Sequence, residues 1–239
     1  MMGVRGRGAW RRALLAAGCA GALACTGTRR GESTPPTPAP APMRAMLLAP
    51  DAPFWREPAP ATFRVRVETT RGPFTIELTR ALAPIGVDHL YHLVRAGYYD
   101  DSRFSRTVAG WITQFGIAGD PAVTAVWARR PIKDDPVRAS NVRGSVIFAM
   151  TGPDTRTTQV VVNRRDNLSQ DAQGFAPLGY VVQGMDVVDS LYSGYGERSG
   201  GGMRAGRQQR VLSEGNAYLD REFPLLDHLI RATVVSTAR

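Results

Sequence analysis

The sequence predicts a mainly β domain, an antiparallel barrel or sandwich, over residues 62–193 of a 239-residue chain. Three observations carry that prediction. Short runs of period-two hydrophobicity recur with turn residues between them. Only two stretches of that span show helical spacing, too few to carry parallel crossovers. The chain is 43% hydrophobic, enough for a core of ordinary size, which excludes wholesale disorder and a polytopic membrane protein.

Residues 1–25 read as a signal segment. Arg5, Arg7, Arg11 and Arg12 precede an uncharged apolar run over 13–24, the pattern of a secretory leader. That run is short for a permanent membrane span. Cys25 follows Leu23-Ala24 and Cys19 follows Ala17-Gly18, and both settings resemble a lipoprotein cleavage site. Cys25 has the longer apolar run and a polar exit, Thr26-Gly27-Thr28, so it is the preferred lipidation candidate. An ordinary cleaved leader with incidental cysteines is the alternative. The expectation is an exported protein of the periplasm or cell envelope, touching membrane only through a lipid anchor. With no further cysteine, the domain has no internal disulfide.

Residues 26–61 read as a proline-rich tether, since nine of the 17 prolines lie between Pro35 and Pro60. Such a tract favours extended polyproline geometry over helix or ladder. Within it, Met46-Leu47-Leu48 and Phe54-Trp55 either dock on the domain or are incidental.

From residue 62 the pattern changes. Phe63, Val65 and Val67 alternate with Arg64, Arg66 and Glu68, Arg71-Gly72 makes a turn, and Phe74, Ile76 and Leu78 complete a hairpin. Pro84 opens a helix with Val87, Leu90, Tyr91 and Val94 on one face and Gly97 as its stop. Residues 117–142 form a long loop containing Trp127, Arg129, Arg130, Asp134 and Asp135. That loop either shapes substrate access or is a solvated surface. Strands are predicted over 145–150, 159–163 and 178–182, and a short helix over 185–192. Residues 194–202 read as a flexible glycine-rich loop and 223–235 as a last helix or strand, within a 194–239 extension expected to dock on the barrel.

The formal charge of +9 invites a nucleic-acid reading, which its makeup does not support. Lys133 is the only lysine beside 29 arginines, a bias of base composition more than of a designed surface. The leader contributes four of the nine charges, and the rest are interleaved with acids. No nucleic-acid partner is expected. Nor is a metal or cofactor: His89 and His92 share a helix side without an acid or cysteine to complete a set, and read as surface residues. No Gly-x-Ser-x-Gly elbow, dinucleotide fingerprint or P-loop occurs. Any activity must therefore rest on binding, hydrogen bonding and burial.

Two stretches remain. In 104–116, Arg106 falls in a short strand with period-two partners Phe104 and Val108. A charge among apolar residues needs a partner or a purpose. Past Gly110, Trp111, Ile112 and Gln114 offer apolar surface and an amide together. In 144–163, a strand, the Gly152-Pro153 turn and a second strand bring Gln159 and Val161 back alongside.

Phe104-x-Arg106, Gly110, Gln114, Gly152-Pro153 and Gln159, in this order and spacing, resemble the cyclophilins, a family of peptidyl-prolyl cis-trans isomerases. So do Ala176-Pro177-Leu178-Gly179 and the segment from Val181 to Val188. The resemblance covers about 62–191. It implies an eight-stranded antiparallel closed barrel capped by two α-helices, acting as a monomer on Xaa-Pro bonds of exported polypeptides. By resemblance, Arg106 is catalytic and Gln114 holds it, Trp111 and Ile112 wall the prolyl pocket, and Gln159 with the backbone of Ala149 and Met150 binds the peptide. Val161 stands where the family carries phenylalanine, which implies a shallower, less aromatic pocket, and Phe175 stands where it carries histidine, which implies a source of some of the missing aromatic surface. No tryptophan lies near Leu168, which argues against tight cyclosporin binding. A binding module with little turnover is the alternative function.

Overall fold

The computed structural model describes residues 41–200 and 208–235. The signal segment, Cys19, Cys25 and the first part of the tether lie outside the described residues. Among the described residues, no helix is long and apolar enough to cross a membrane.

The hairpin forms where the alternation places it. Strand β1 (Thr62–Thr69) pairs antiparallel with β2 (Gly72–Thr79), Val65 opposite Ile76. Phe63, Val65, Val67, Phe74, Ile76 and Leu78 face the core, and Arg64 pairs with Glu77 on the outer face at 2.9 Å. Helix α1 (Ala41–Leu47) and a 3-10 turn (Pro53–Arg56) precede the hairpin, and α2 (Pro84–Arg95) follows it. Proline at the start of α2 costs no hydrogen bond, because first-turn N–H groups have no partner within the helix. Val87, Leu90, Leu93 and Val94 are buried, and Gly97, at φ +69°, takes the left-handed turn that ends the run.

Three short strands come next: β3 (Ser102–Arg103), β4 (Arg106–Val108) and β5 (Ile112–Phe115). Helix α3 (Pro121–Trp127), β6 (Ser145–Phe148), β7 (Val160–Asn163), α4 (Ser169–Ala172), β8 (Gly179–Gln183) and α5 (Met185–Ser190) follow. The chain continues through α6 (Gln208–Glu214), α7 (Asn216–Glu222) and β9 (His228–Val235). One antiparallel sheet holds all nine strands in the order β3-β9-β1-β2-β8-β6-β7-β5-β4. Its two edge strands, β3 and β4, are joined by Phe104 and Ser105 alone, so the sheet curls until its edges share one stretch of chain.

The mainly β, curled antiparallel architecture is the one expected, and its details differ in several respects. The strands number nine, because β9 pairs with β1 inside the sheet, making the extension a constituent of the barrel. Among the described residues no ladder joins β3 to β4, and the covalent link takes its place. Helices number seven among the described residues; α3, α4, α6 and α7 are too short to show a clear period in sequence. Part of the tether is helical, because Pro42 falls in the first turn of α1 and residues 43–47 contain no proline. Leu47 is buried and its carbonyl accepts from Trp127 Nε1 at 2.9 Å. Phe54 packs on His92, and Trp55 on Trp127, with ring centroids 5.3 and 4.5 Å apart. The packed domain thus begins before residue 62 and runs beyond 193.

The two helix histidines are not surface groups. His92 is 2% exposed and its Nε2 lies 2.6 Å from the Glu57 carbonyl oxygen. His89 is half-buried, with its Nε2 2.8 Å from the Thr157 carbonyl oxygen. The residues N-terminal to the hairpin cover His92, so helical spacing alone could not show which face lies outside.

The long loop is largely structural. Asp120 caps α3 through the Ala122 N–H at 2.8 Å, and Trp127 is in the core. Asp135 is buried and accepts from the backbone N–H groups of Ile85 and Gly86 at 2.9 and 2.8 Å. It caps α2 in place of Ala83, whose side chain cannot.

Candidate functional site

The strands β4, β5, β7 and β6 form the scaffold of a groove. Arg106 sits opposite Gln114, Gln114 opposite Val161, and Val161 opposite Ile147, making one cross-strand row. Directly opposed residues share a face, so this row stands on one side of the sheet. The intervening positions Phe115, Val146, Phe148, Val160 and Val162 point the other way, into the core. Period two therefore splits one stretch of chain between two tasks.

Phe104 belongs to the second set. It packs on Phe115 at 5.4 Å in the core, because the chain turns at Ser105 before β4 begins. Only Val108 shares the Arg106 face as the alternation predicts.

Ile112, Ile147 and Val161 form a small apolar cluster of their own, with Val108, Trp111, Ala149 and Phe175 packed against it. This floor lies beside a polar chain. Arg106 Nη1 donates to Gln114 Oε1 at 3.1 Å, and Gln114 Nε2 donates to Gln159 Oε1 at 2.7 Å. The guanidinium carbon stands 5.1 Å from the Trp111 ring centroid, within cation–π range. Nη2 of Arg106 donates to Glu197 Oε1 at 2.5 Å. The buried charge has its partner.

All nine groove residues named from the sequence, Arg106, Trp111, Ile112, Gln114, Ala149, Met150, Gln159, Val161 and Phe175, line one cavity of about 670 Å³. Phe175 is anchored from outside: its carbonyl accepts from Asn141 Nδ2 at 2.8 Å, and Asn141 is fully buried. The cavity thus offers an apolar floor with an adjacent row of fixed donors and acceptors, suited to holding a peptide segment with a compact apolar ring.

Several lining residues escaped the sequence reading, among them two polar ones from the C-terminal extension. Glu197 comes from the glycine-rich segment, and Gln208, from α6, places its side-chain amide 3.4 Å from Gln159 Oε1. Neither sits in a periodic pattern, and only the fold of the extension brings them here. Among the described residues, no group of three or more His, Cys, Asp or Glu is placed to hold a metal.

Comparison with known proteins agrees with this geometry. The family model described as cyclophilin type peptidyl-prolyl cis-trans isomerase/CLD matches residues 64–214. A peptidyl-prolyl cis-trans isomerase of Acinetobacter baylyi is 31% identical over 137 residues, covering 55% of this chain and 72% of that protein. Peptidyl-prolyl cis-trans isomerase B of Escherichia coli is 30% identical over 145 residues, covering 57% and 88%. Among solved structures, the cyclophilin AquaCyp293 from Hirschia baltica matches with a TM-score of 0.53 at 18% identity, covering 77% of each chain. A cyclophilin-type isomerase from Cryptosporidium parvum matches with a TM-score of 0.52 at 18% identity, covering 74% of this chain and 99% of that one. At such identities these two likenesses concern the fold alone. Sequence and fold converge, and the chain belongs to the cyclophilin-type peptidyl-prolyl cis-trans isomerase family.

Proposed function

We propose that the protein binds Xaa-Pro segments in this groove and catalyses their cis-trans isomerisation through Arg106. Rotation about the bond faces a barrier of about 18–20 kcal/mol that comes from amide resonance, and no bond is made or broken. A catalyst needs only to favour the twisted, less conjugated amide over either planar form. The cluster of Ile112, Val161 and Phe175 would hold the proline ring, and Trp111 would wall it. Gln159 and the backbone of Ala149 and Met150 would take the peptide main chain. Arg106 would then donate to the prolyl nitrogen as it pyramidalises, with its charge pre-oriented by Gln114 in a poorly hydrated groove. The carrying observation is the hydrogen-bonded chain Arg106–Gln114–Gln159 beside an apolar floor.

Arg106→Ala should lower kcat/KM for a prolyl peptide by about 10²-fold, the usual cost of one preorganised donor. Peptide affinity should change little. The measurement is exchange spectroscopy on a short Xaa-Pro peptide with catalytic amounts of protein. Equal exchange by wild type and mutant, with peptide still bound, would leave only the binding-module function.

We also propose that the clients are exported polypeptides and that the chain is held at a membrane through Cys25, as the basic and apolar leader supports. Cys25→Ser should move the protein from the membrane fraction to the soluble one. Unchanged partitioning would discard that cysteine as the anchor.

A further inference from the structure

The glycine-rich segment does more than cross the surface. Gly196 makes a bridge to Thr107 in the middle of β4, and Ser199 Oγ donates to the Ser105 carbonyl at 2.7 Å. Ser199 is itself 2% exposed. A Cβ at Gly200 would lie 2.5 Å from the Ser105 oxygen and 3.0 Å from Arg106 Cβ, so the close approach requires glycine. The segment read as flexible is therefore docked along the edge strand that carries Arg106. Its docking delivers one charged side chain to the groove, Glu197.

We infer that Glu197 is a positioning residue for Arg106, an inference that rests on the catalytic reading of that arginine. A guanidinium carries five N–H donors in a rigid plane. Gln114 takes one on Nη1 and Glu197 takes one on Nη2, while Nε has no partner among the described residues. Two acceptors on different terminal nitrogens set both the position and the tilt of the fork. A single acceptor would leave it free to pivot, on a side chain rich in rotamers. Enough donors remain for a peptide, so the carboxylate need not leave when substrate binds. Only 13% of the Arg106 side chain is exposed against 41% for Glu197, so the buried member gains its charge partner from the wetter one. The role belongs to rotation of the bond more than to capture of the peptide, because orientation matters most where the twisted amide forms.

The test uses the full chain with Glu197→Gln and Glu197→Leu, which keep similar volume but differ in having an acceptor oxygen. Glu197→Leu should lower kcat about three- to tenfold with KM within twofold of wild type. Glu197→Gln should restore at least half of the wild-type kcat, a rescue that mere docking of the segment would not require. In an Arg106→Ala background, Glu197→Leu should have no further effect. If Arg106→Ala is slow while Glu197→Leu matches or exceeds wild type, the positioning role is overturned and the catalytic reading stands. Equal loss in the Leu and Gln variants also overturns it. If Arg106→Ala exchanges as fast as wild type, both readings fall.

Discussion

The His89 imidazole stands 5.8 and 5.7 Å from the rings of Trp127 and Phe148, with one nitrogen on the Thr157 carbonyl beneath the groove. Burial pulls its pKa down from 6.5 to about 4, with the nearby His92 and Arg156 adding to the lowering and the carbonyl opposing it. The neutral form is therefore the native one. An unfolded chain takes up the proton below about pH 6.5 and the folded chain only near 4, so stability is full above 6.5 and falls as pH drops through that window. Discounted for partial exposure, the loss is about 1–2 kcal/mol. The urea midpoint should fall further between pH 7 and 4.5 in wild type than in His89→Gln, which lacks this slope. Identical pH dependence in both proteins would remove His89 from the account. At the same scale, Val161 is nearly buried in the groove floor, and Phe175 packs against the same cluster, the aromatic surface that valine itself does not supply.

Among the elements, α2 depends on a residue fifty and forty-nine positions from the two N–H groups it satisfies. Ala83 offers no side-chain acceptor, and Asp135 supplies both of its oxygens to the first turn of the helix. The same carboxylate lies 3.1 Å from Arg156 Nη1, and both side chains are almost fully buried. Arg156 keeps Asp134 Oδ1 at 2.9 Å from its Nε. Removing Asp135 thus takes away the acceptor of two helix N–H groups and one of two charge partners, together about 2–4 kcal/mol. Asp135→Ala should therefore destabilise the domain by about that amount in urea denaturation, well above the ~1 kcal/mol expected for an isolated cap. A loss under about 1 kcal/mol would show that the helix and Arg156 find other partners. The length of the 117–142 loop thus has a structural reason, since it must return this carboxylate to α2.

For the whole molecule, the domain is larger than the β-rich span that its patterning marks. Leu47, Phe54 and Trp55 cover Trp127 and His92, and Leu47 supplies the acceptor for the buried Trp127 N–H. A chain beginning at residue 62 loses that cover and should be less stable than one beginning at 41 by about 2–4 kcal/mol, from exposed apolar surface and an unpaired indole. Comparison of thermal or urea midpoints for the two chains checks this. Equal midpoints would return residues 41–61 to the role of a passive tether. At the other end, β9 pairs with both β1 and β3, so the extension is a structural part of the sheet.

By itself, the sequence determined the elements whose pattern is local. Alternation in 62–79 marks the hairpin, proline and glycine bracket α2, and the stretches between Arg106 and Phe175 name nine residues that line one cavity. Those signals survive in a linear reading because side-chain period and turn chemistry are set by near neighbours. Tertiary structure alone decided the rest. It placed β9 inside the sheet, folded the chain from Leu47 to Glu57 over Trp127 and His92, gave α2 its cap from Asp135, and brought Glu197 onto Arg106. Each of these joins residues far apart in the chain, through contacts that no local period encodes. The arginine that stood out as a charge among apolar neighbours was legible from its strand, but the carboxylate that pairs with it came from ninety-one residues away.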